Sequence, residues 1–315
     1  MTLDKVLAGL APAHVSLALQ PLLSQLWLHE PDSDTIRRAS AELGLPAADS
    51  TELAAAYVDL FLLNVYPYGT AFTAPSAELN GPDALRLAML YEAHGYQPPD
   101  LNCVGAPDHL GLCLGFLVHV GREAIPAGID HFECGPVCCF AAECDPSAHP
   151  FYRALAALTR KRLLAETPHS NIQNLECPVR DPQAEVGLRD IVRFFLAPAR
   201  CGMFLSRSRI GQMARALGMR LPFGSRFEVA ERLFEGAGDT GTIGELLRLL
   251  GAEIDRWDTA YRAWWAAYPV WQPFAAQWLE RVDAARYTLT EMRQVLERQP
   301  ELESTDGPAR SDRIP

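Results

Sequence analysis

Apolar side chains recur with the helical period almost everywhere in this 315-residue chain, and no stretch alternates apolar and polar residues between turn signals as a half-buried strand would. That pattern confines the chain to an all-α fold. Asp49 with Glu52 three residues later gives a capping-box-like start, after which Leu53, Tyr57, Leu60, Phe61 and Asn64 share one face until Pro67 stops the helix. A second helix is expected from about Asn80 and Pro82 to His94, with Leu85, Met89 and Leu90 turned inward and Gly95 as its C-terminal cap. The third, opening at Pro107 and Asp108 and running through Leu110, Leu114, Phe116, Leu117 and Val120, is apolar nearly all round. It is expected to be the central, buried helix.

Between residues 121 and 150 the pattern breaks into a loop-like stretch rich in Gly, Pro and Cys, a hinge candidate that leaves open both a single chain and a homodimer formed by exchanging helices across it. A second irregular stretch spans 167–182. Helical spacing then returns at Ile191 to Leu196, at 206–217 with Gly218 as cap, at 227–234, at 242–268 and at 273–296. From Gln299 onward no apolar period remains, which reads as a disordered tail. The expected organisation is a helical core over 1–196 with its hinge near 121–150, a further helical region over 197–298, and a tail over 299–315.

With 39 acidic against 28 basic side chains, a net charge of −11, the chain is poorly suited to coating nucleic acid, whose affinity comes from cations neutralising phosphates. The acidity suits a positively charged partner. The longest nearly uncharged run, 110–121, is too short to cross a bilayer and contains His119, so no membrane insertion is expected. The start of the chain is apolar but carries Asp4 beside Lys5 and lacks the pattern of a secretion signal. Eight cysteines in such a chain read as reduced thiols, and the expected compartment is the cytoplasm.

Four features carry the look of chemistry. Gly236, Gly238 and Gly241 spell G-x-G-x-x-G, but no strand precedes them to aim the turn at a pyrophosphate, so a helix–helix turn is expected. Residues 200–232 hold seven arginines against Glu228 and Glu231, and 206–221 resembles the first part of a helix-turn-helix, which keeps a DNA-binding regulator as an alternative. Cys134, Cys138, Cys139 and Cys144, near His131 and His149, have the composition of a metal site without its paired-knuckle spacing, so a metal-bearing redox protein is a second alternative. Trp257, Tyr261, Trp264 and Tyr268 stand at helical spacing, either as core or as an exposed landing surface for an apolar peptide. His109 beside Asp108 has no local nucleophile signature, and neither a catalytic residue nor a resident cofactor is expected.

Two segments in order, Tyr57, Leu60, Phe61, Pro67, Tyr68 and then Gly81, Leu90, Tyr91, Gly95, followed by Ala106-Pro107-Asp108-His109-Leu110-Gly111-Leu112, resemble the TorD/DmsD/NarJ family of chaperones. The resemblance covers roughly 51–196. It implies an all-helical cytoplasmic binding protein that holds the apo catalytic subunit of a molybdopterin oxidoreductase, or its twin-arginine signal peptide, until the cofactor is inserted. The chain departs from the family pattern in having Gly69 and Cys113 where acidic residues are common, and 197–296 exceeds the short members. A twin-arginine segment presents two guanidinium groups beside an apolar stretch, so its receptor needs carboxylates near an apolar groove. Tyr68, Phe72, Pro107, Asp108, His109 and Leu110 are the candidate contacts, with Asp108 for charge and Tyr68 and Phe72 for an apolar floor. Equally open are a helix-capping role for Asp108 and a loop-pinning hydrogen bond for His109.

Overall fold

The computed structural model describes residues 20–76, 79, 81–121, 131–166 and 187–303, and these are helical with connecting turns. The chain divides into two compact units, Met1–Asn174 and Leu175–Pro315.

The first unit holds α1 (Gln20–Leu28), α2 (Ser33–Leu43), α3 (Ser50–Tyr57), a π-helical continuation (Val58–Asn64), α4 (Thr70–Thr73), α5 (Pro82–Ala93), α6 (Leu101–Val104), α7 (Leu110–Val120), α8 (His131–Cys144) and α9 (Pro150–Glu166). Asp49 caps α3 by accepting from Thr51 N and Glu52 N at 2.8 and 3.1 Å. The expected inward face, Leu53 to Asn64, is buried throughout. Sequence periodicity did not show the wide turn that ends it, where Val65 N donates to Leu60 O at 2.7 Å across five residues. Helix α7 is buried over Leu110–Leu114 and at Phe116 and partly exposed beyond, and it meets α1 closely enough that a Cβ on Gly111 would lie 2.6 Å from Leu28 Cγ. Ser24 Oγ seals that crossing by donating to Gly111 O at 2.7 Å. Buried aromatic rings join the other elements: Trp27 Nε1 donates to Thr159 Oγ1 at 3.0 Å, Tyr57 Oη to Trp27 O at 3.0 Å, and Tyr152 Oη to Leu53 O at 3.0 Å.

Three expectations for this unit are corrected. The supposed hinge contains a helix, α8, which packs lengthwise on α9; the Gly, Pro and Cys content suggested a loop, but Val137, Cys138, Cys139, Ala141 and Ala142 are all buried and Pro136 is accommodated inside the helix. Residues 122–130 of that stretch, and 167–182, lie outside the described residues. Helix α7 starts at Leu110, so Pro107 and Asp108 precede it. Helix α5 turns Ala84, Leu87 and Tyr91 inward and leaves Leu85 and Met89 65% and 70% exposed. The reason is the anchoring of Tyr91, whose ring lies 5.0 Å from Tyr96 and 4.9 Å from Phe116 and whose hydroxyl donates to Pro107 O at 3.0 Å.

The second unit holds α10 (Leu188–Leu196), α11 (Pro198–Cys201), α12 (Arg207–Ala216), α13 (Arg226–Asp239), α14 (Ile243–Ala267), a 3-10 turn (Pro269–Trp271) and α15 (Gln272–Glu303). Sequence pattern placed α10 with the first unit, but its buried face, Val192, Phe195 and Leu196, packs toward α13, with Phe195 stacked 6.4 Å from Phe234. Helices α14 and α15 run antiparallel: Arg293 reaches Leu247 O at 3.1 Å, Arg286 pairs with Asp255 and Asp258 at 3.0 and 3.2 Å, and Tyr261 stacks on Trp278 at 5.8 Å. Gly202 is required where α11 touches this pair. Its φ is +73°, and an added Cβ would sit 2.8 Å from Val282 N and 2.9 Å from Trp278 O. Helix α15 continues to Glu303, past the expected start of a tail, and 304–315 lie outside the described residues.

Candidate functional site

The segments 67–70 and 106–111 clasp one another. Leu110 N donates to Pro67 O at 2.7 Å and Gly69 N to Asp108 O at 3.0 Å, and Tyr68 and His109 form an antiparallel bridge with rings edge-to-face at 5.0 Å. Asp108 fastens the clasp: its Oδ2 accepts from both Thr70 N at 2.8 Å and Thr70 Oγ1 at 2.7 Å. The carboxylate is only 1% exposed, and Oδ1 has no hydrogen-bond partner among the described residues. The cap of α7 is therefore His109, whose Nδ1 accepts from Gly111 N at 3.1 Å, while Asp108 spends its oxygen on the 67–70 turn. Accepting at Nδ1 fixes the neutral tautomer with its proton on Nε2. Burial, with a smaller push from His29, lowers the His109 pKa to about 3. Phe72 and Leu110 are also buried, Tyr68 and Pro107 are partly exposed, and Tyr68 Oη donates to Val104 O at 2.6 Å.

Thus the expected residues lie in the clasp and in α4 directly after it, mostly buried, and Pro107 alone of the six lines the neighbouring cleft. Next to the clasp lies a cleft of about 760 Å³ lined by Tyr91, Glu92, Tyr96, Asp100, Leu101 and Pro107. Tyr91 links the two, since its hydroxyl holds Pro107 O. Asp100 adopts a left-handed backbone (φ 52°), the one non-glycine residue to do so among the described residues. Its carbonyl takes Cys103 N and Val104 N at 2.8 and 2.9 Å and so starts α6, while its half-exposed carboxylate meets His29 Nε2 at 3.1 Å. Leu85, Met89 and Glu92, spaced i, i+4, i+7, run along the outer face of α5 to the cleft. An exposed apolar ridge therefore leads into a cleft with aromatic walls and two carboxylates. Sequence reasoning missed Leu85 and Met89 as surface residues and did not single out Glu92, Tyr96 or Asp100. The available signal was that α5 is apolar on more faces than one core contact can use.

The first unit also carries the acidity of the chain. It has 19 acidic against 9 basic side chains, a net of −10, whereas residues 175–315 have 20 against 19. A cationic segment approaching the molecule is drawn to the unit that holds the cleft.

The remaining chemical features resolve as packing. Cys134, Cys138 and Cys139 are buried along α8, and burial holds the Cys138 and Cys139 thiols well above their ordinary pKa, which disfavours the thiolate a metal would need. Among the described residues no group of three His, Cys, Asp or Glu side chains is arranged to hold a metal. Trp257, Tyr261 and Trp264 are core residues, and Tyr261 Oη donates to Gly202 O at 2.7 Å. Gly236 and Gly238 lie in α13 and Gly241 in the turn to α14, so the glycine motif is a helix–helix turn. Helix α13, which would have to read DNA in a helix-turn-helix, sets Glu228, Glu231, Glu235 and Asp239 against Arg226 and Arg232.

No helix among the described residues is long and apolar enough to cross a membrane. No curated protein and no solved structure matches the chain. The family model described as nitrate reductase delta subunit matches residues 15–132, starting before the motifs that carried the resemblance and ending at the beginning of α8. That span contains the clasp, α5 and the cleft, and over it the chain is similar to the nitrate reductase delta subunit family, in agreement with the NarJ/TorD-type resemblance of its motifs.

Proposed function

We propose that the protein is a non-enzymatic assembly chaperone that binds the apo catalytic subunit of a molybdopterin oxidoreductase, or its twin-arginine signal peptide, in the cytoplasm and holds it for cofactor insertion. The observation that carries this reading is the α5 ridge leading into the cleft, within the span matched by the family model. An apolar segment would lie on Leu85 and Met89, and guanidinium groups would meet Glu92 and Asp100 beside the partly exposed ring of Tyr96. In this reading Asp108, His109, Tyr68, Phe72 and Leu110 are positioning residues: they hold Pro107 and the start of α7 in place as the cleft wall. Apolar burial supplies most of the binding energy, and the carboxylates supply orientation and association rate. No nucleophile is needed for such a task.

Co-expression with the catalytic subunit of a molybdopterin oxidoreductase from the same organism tests the reading. The expected result is a complex that forms with the cofactor-free subunit and releases it once molybdopterin is loaded. Equal retention of the loaded enzyme, or no complex with the apo form, would overturn it.

A further inference from the structure

Eight described arginines of the second unit are paired with carboxylates, among them Arg189 with Glu231 at 2.7 Å, Arg209 with Glu253 at 3.5 Å and Arg262 with Asp258 at 2.8 Å. Three others along α12 and the turn after it, Arg207, Arg215 and Arg220, are not. Arg215 and Arg220 are exposed and make no ion pair or hydrogen bond among the described residues, and Arg207 has no carboxylate but lies under the ring of Phe223 at 4.2 Å. Phe223 is itself 83% exposed, more than any other large apolar side chain described. Phe223 is left in water with Arg207 beneath it and two further unpaired arginines, Arg215 and Arg220, on the same helix and its following turn, and none of these residues falls within the span matched by the family model.

We infer that α12 and the turn 217–225 form a second docking surface, for an acidic polypeptide segment that carries an apolar residue. Charge complementarity selects the occupant. Arg207 and Arg215 are eight residues apart on α12, roughly 12 Å along its axis. An extended peptide covers that span in about four residues, so carboxylates at that spacing reach both arginines while an apolar side chain between or beside them covers Phe223. Fixing Arg207 against Phe223 lowers the entropy lost when its guanidinium accepts a carboxylate. A nucleic acid fits less well. Its phosphates need cations in a longer track, and the helix that follows presents Glu228, Glu231 and Glu235 instead. This surface is independent of the cleft reading and would stand if that reading failed.

The test is fluorescence anisotropy on the full chain with a labelled peptide of glutamate and leucine residues, acids four apart, against the same peptide with glutamine for glutamate. Binding of the glutamate peptide alone, weakened by salt, is expected. The Arg215→Glu/Arg220→Glu pair should weaken it roughly tenfold or more, Arg215→Lys/Arg220→Lys should largely retain it, and Phe223→Ala should lose several-fold with the salt dependence unchanged. All these positions are exposed or partly so, and an unchanged melting midpoint verifies that each variant is folded. Absence of binding by the wild type, equal binding of both peptides, insensitivity to the charge reversal, or stronger competition by duplex DNA of equal charge would overturn the inference. So would concentration-dependent self-association abolished by the charge reversal, which would make a second copy the occupant.

Discussion

Replacing Asp108 with alanine should destabilise the first unit without removing any solvent-facing charge. The carboxylate makes two short bonds to Thr70, one to the backbone N–H and one to the hydroxyl, and both donors are buried. A hydrogen bond to a charged acceptor contributes about 1.5–3 kcal/mol, and relief of the unpaired Oδ1 and of the buried charge offsets part of the loss, so the net cost is about 2–4 kcal/mol. Thr70→Val removes one bond and keeps the backbone one, for about 1–2 kcal/mol. Urea unfolding of the full chain reads the first quantity. Because the two units can unfold separately, hydrogen exchange at the Thr70 amide reports on the clasp itself. The double variant should cost less than the sum of the two, since both act on one pair. An Asp108→Ala protein within about 0.5 kcal/mol of wild type, the size of an ordinary surface substitution, with unchanged Thr70 protection, would refute the clasp and return Asp108 to the role of a surface contact.

Three further outcomes follow from particular contacts. His109 is held neutral when folded, so the unfolded chain binds the extra proton: stability should be full above about pH 6.5 and fall as pH drops toward 3, by at most about 1.4 kcal/mol per pH unit. His109→Asn, which can still cap α7, should flatten that slope in urea melts taken at several pH values. Gly202→Ala should cost more than about 2 kcal/mol in thermal or urea unfolding, since its Cβ meets the backbone of α15 and its φ is positive. Met89→Gln should leave unfolding nearly unchanged, because the side chain is 70% exposed, yet lower affinity for an apolar cationic peptide about tenfold in calorimetry.

The all-helical class was legible because period alone decides it, and Asp49, Ser206 and Gly218 marked helix ends that the structure keeps. The inward face of α5 was misjudged because Leu85 and Met89 are as apolar as the residues that are buried; what selects the face is the tertiary hold on Tyr91, which one sequence does not show. The 121–150 stretch misled for a related reason: Gly135 and Pro136 suggest a loop, but tight packing of α8 against Leu163 on α9 uses the small glycine and tolerates the proline. At the site, the motif Pro107-Asp108-His109-Leu110 stands beside the cleft, but Asp108, His109 and Leu110 are buried and not open to a partner. Asp and His before a helix read equally as caps, contacts or ligands, and only the position of Thr70, 38 residues earlier, makes Asp108 a clasp. Glu92 and Asp100 could not be distinguished from any other surface carboxylates until the fold placed them around one cleft.

Calorimetric titration of a short synthetic peptide, two adjacent arginines followed by an apolar run, tests the central claim most directly. The wild type should bind it, and Glu92→Gln/Asp100→Asn, which keeps the backbone conformation of Asp100 while removing both charges, should bind about tenfold more weakly with an unchanged melting midpoint. A wild type that ignores the peptide, or a double variant that binds it as tightly, would contradict the account.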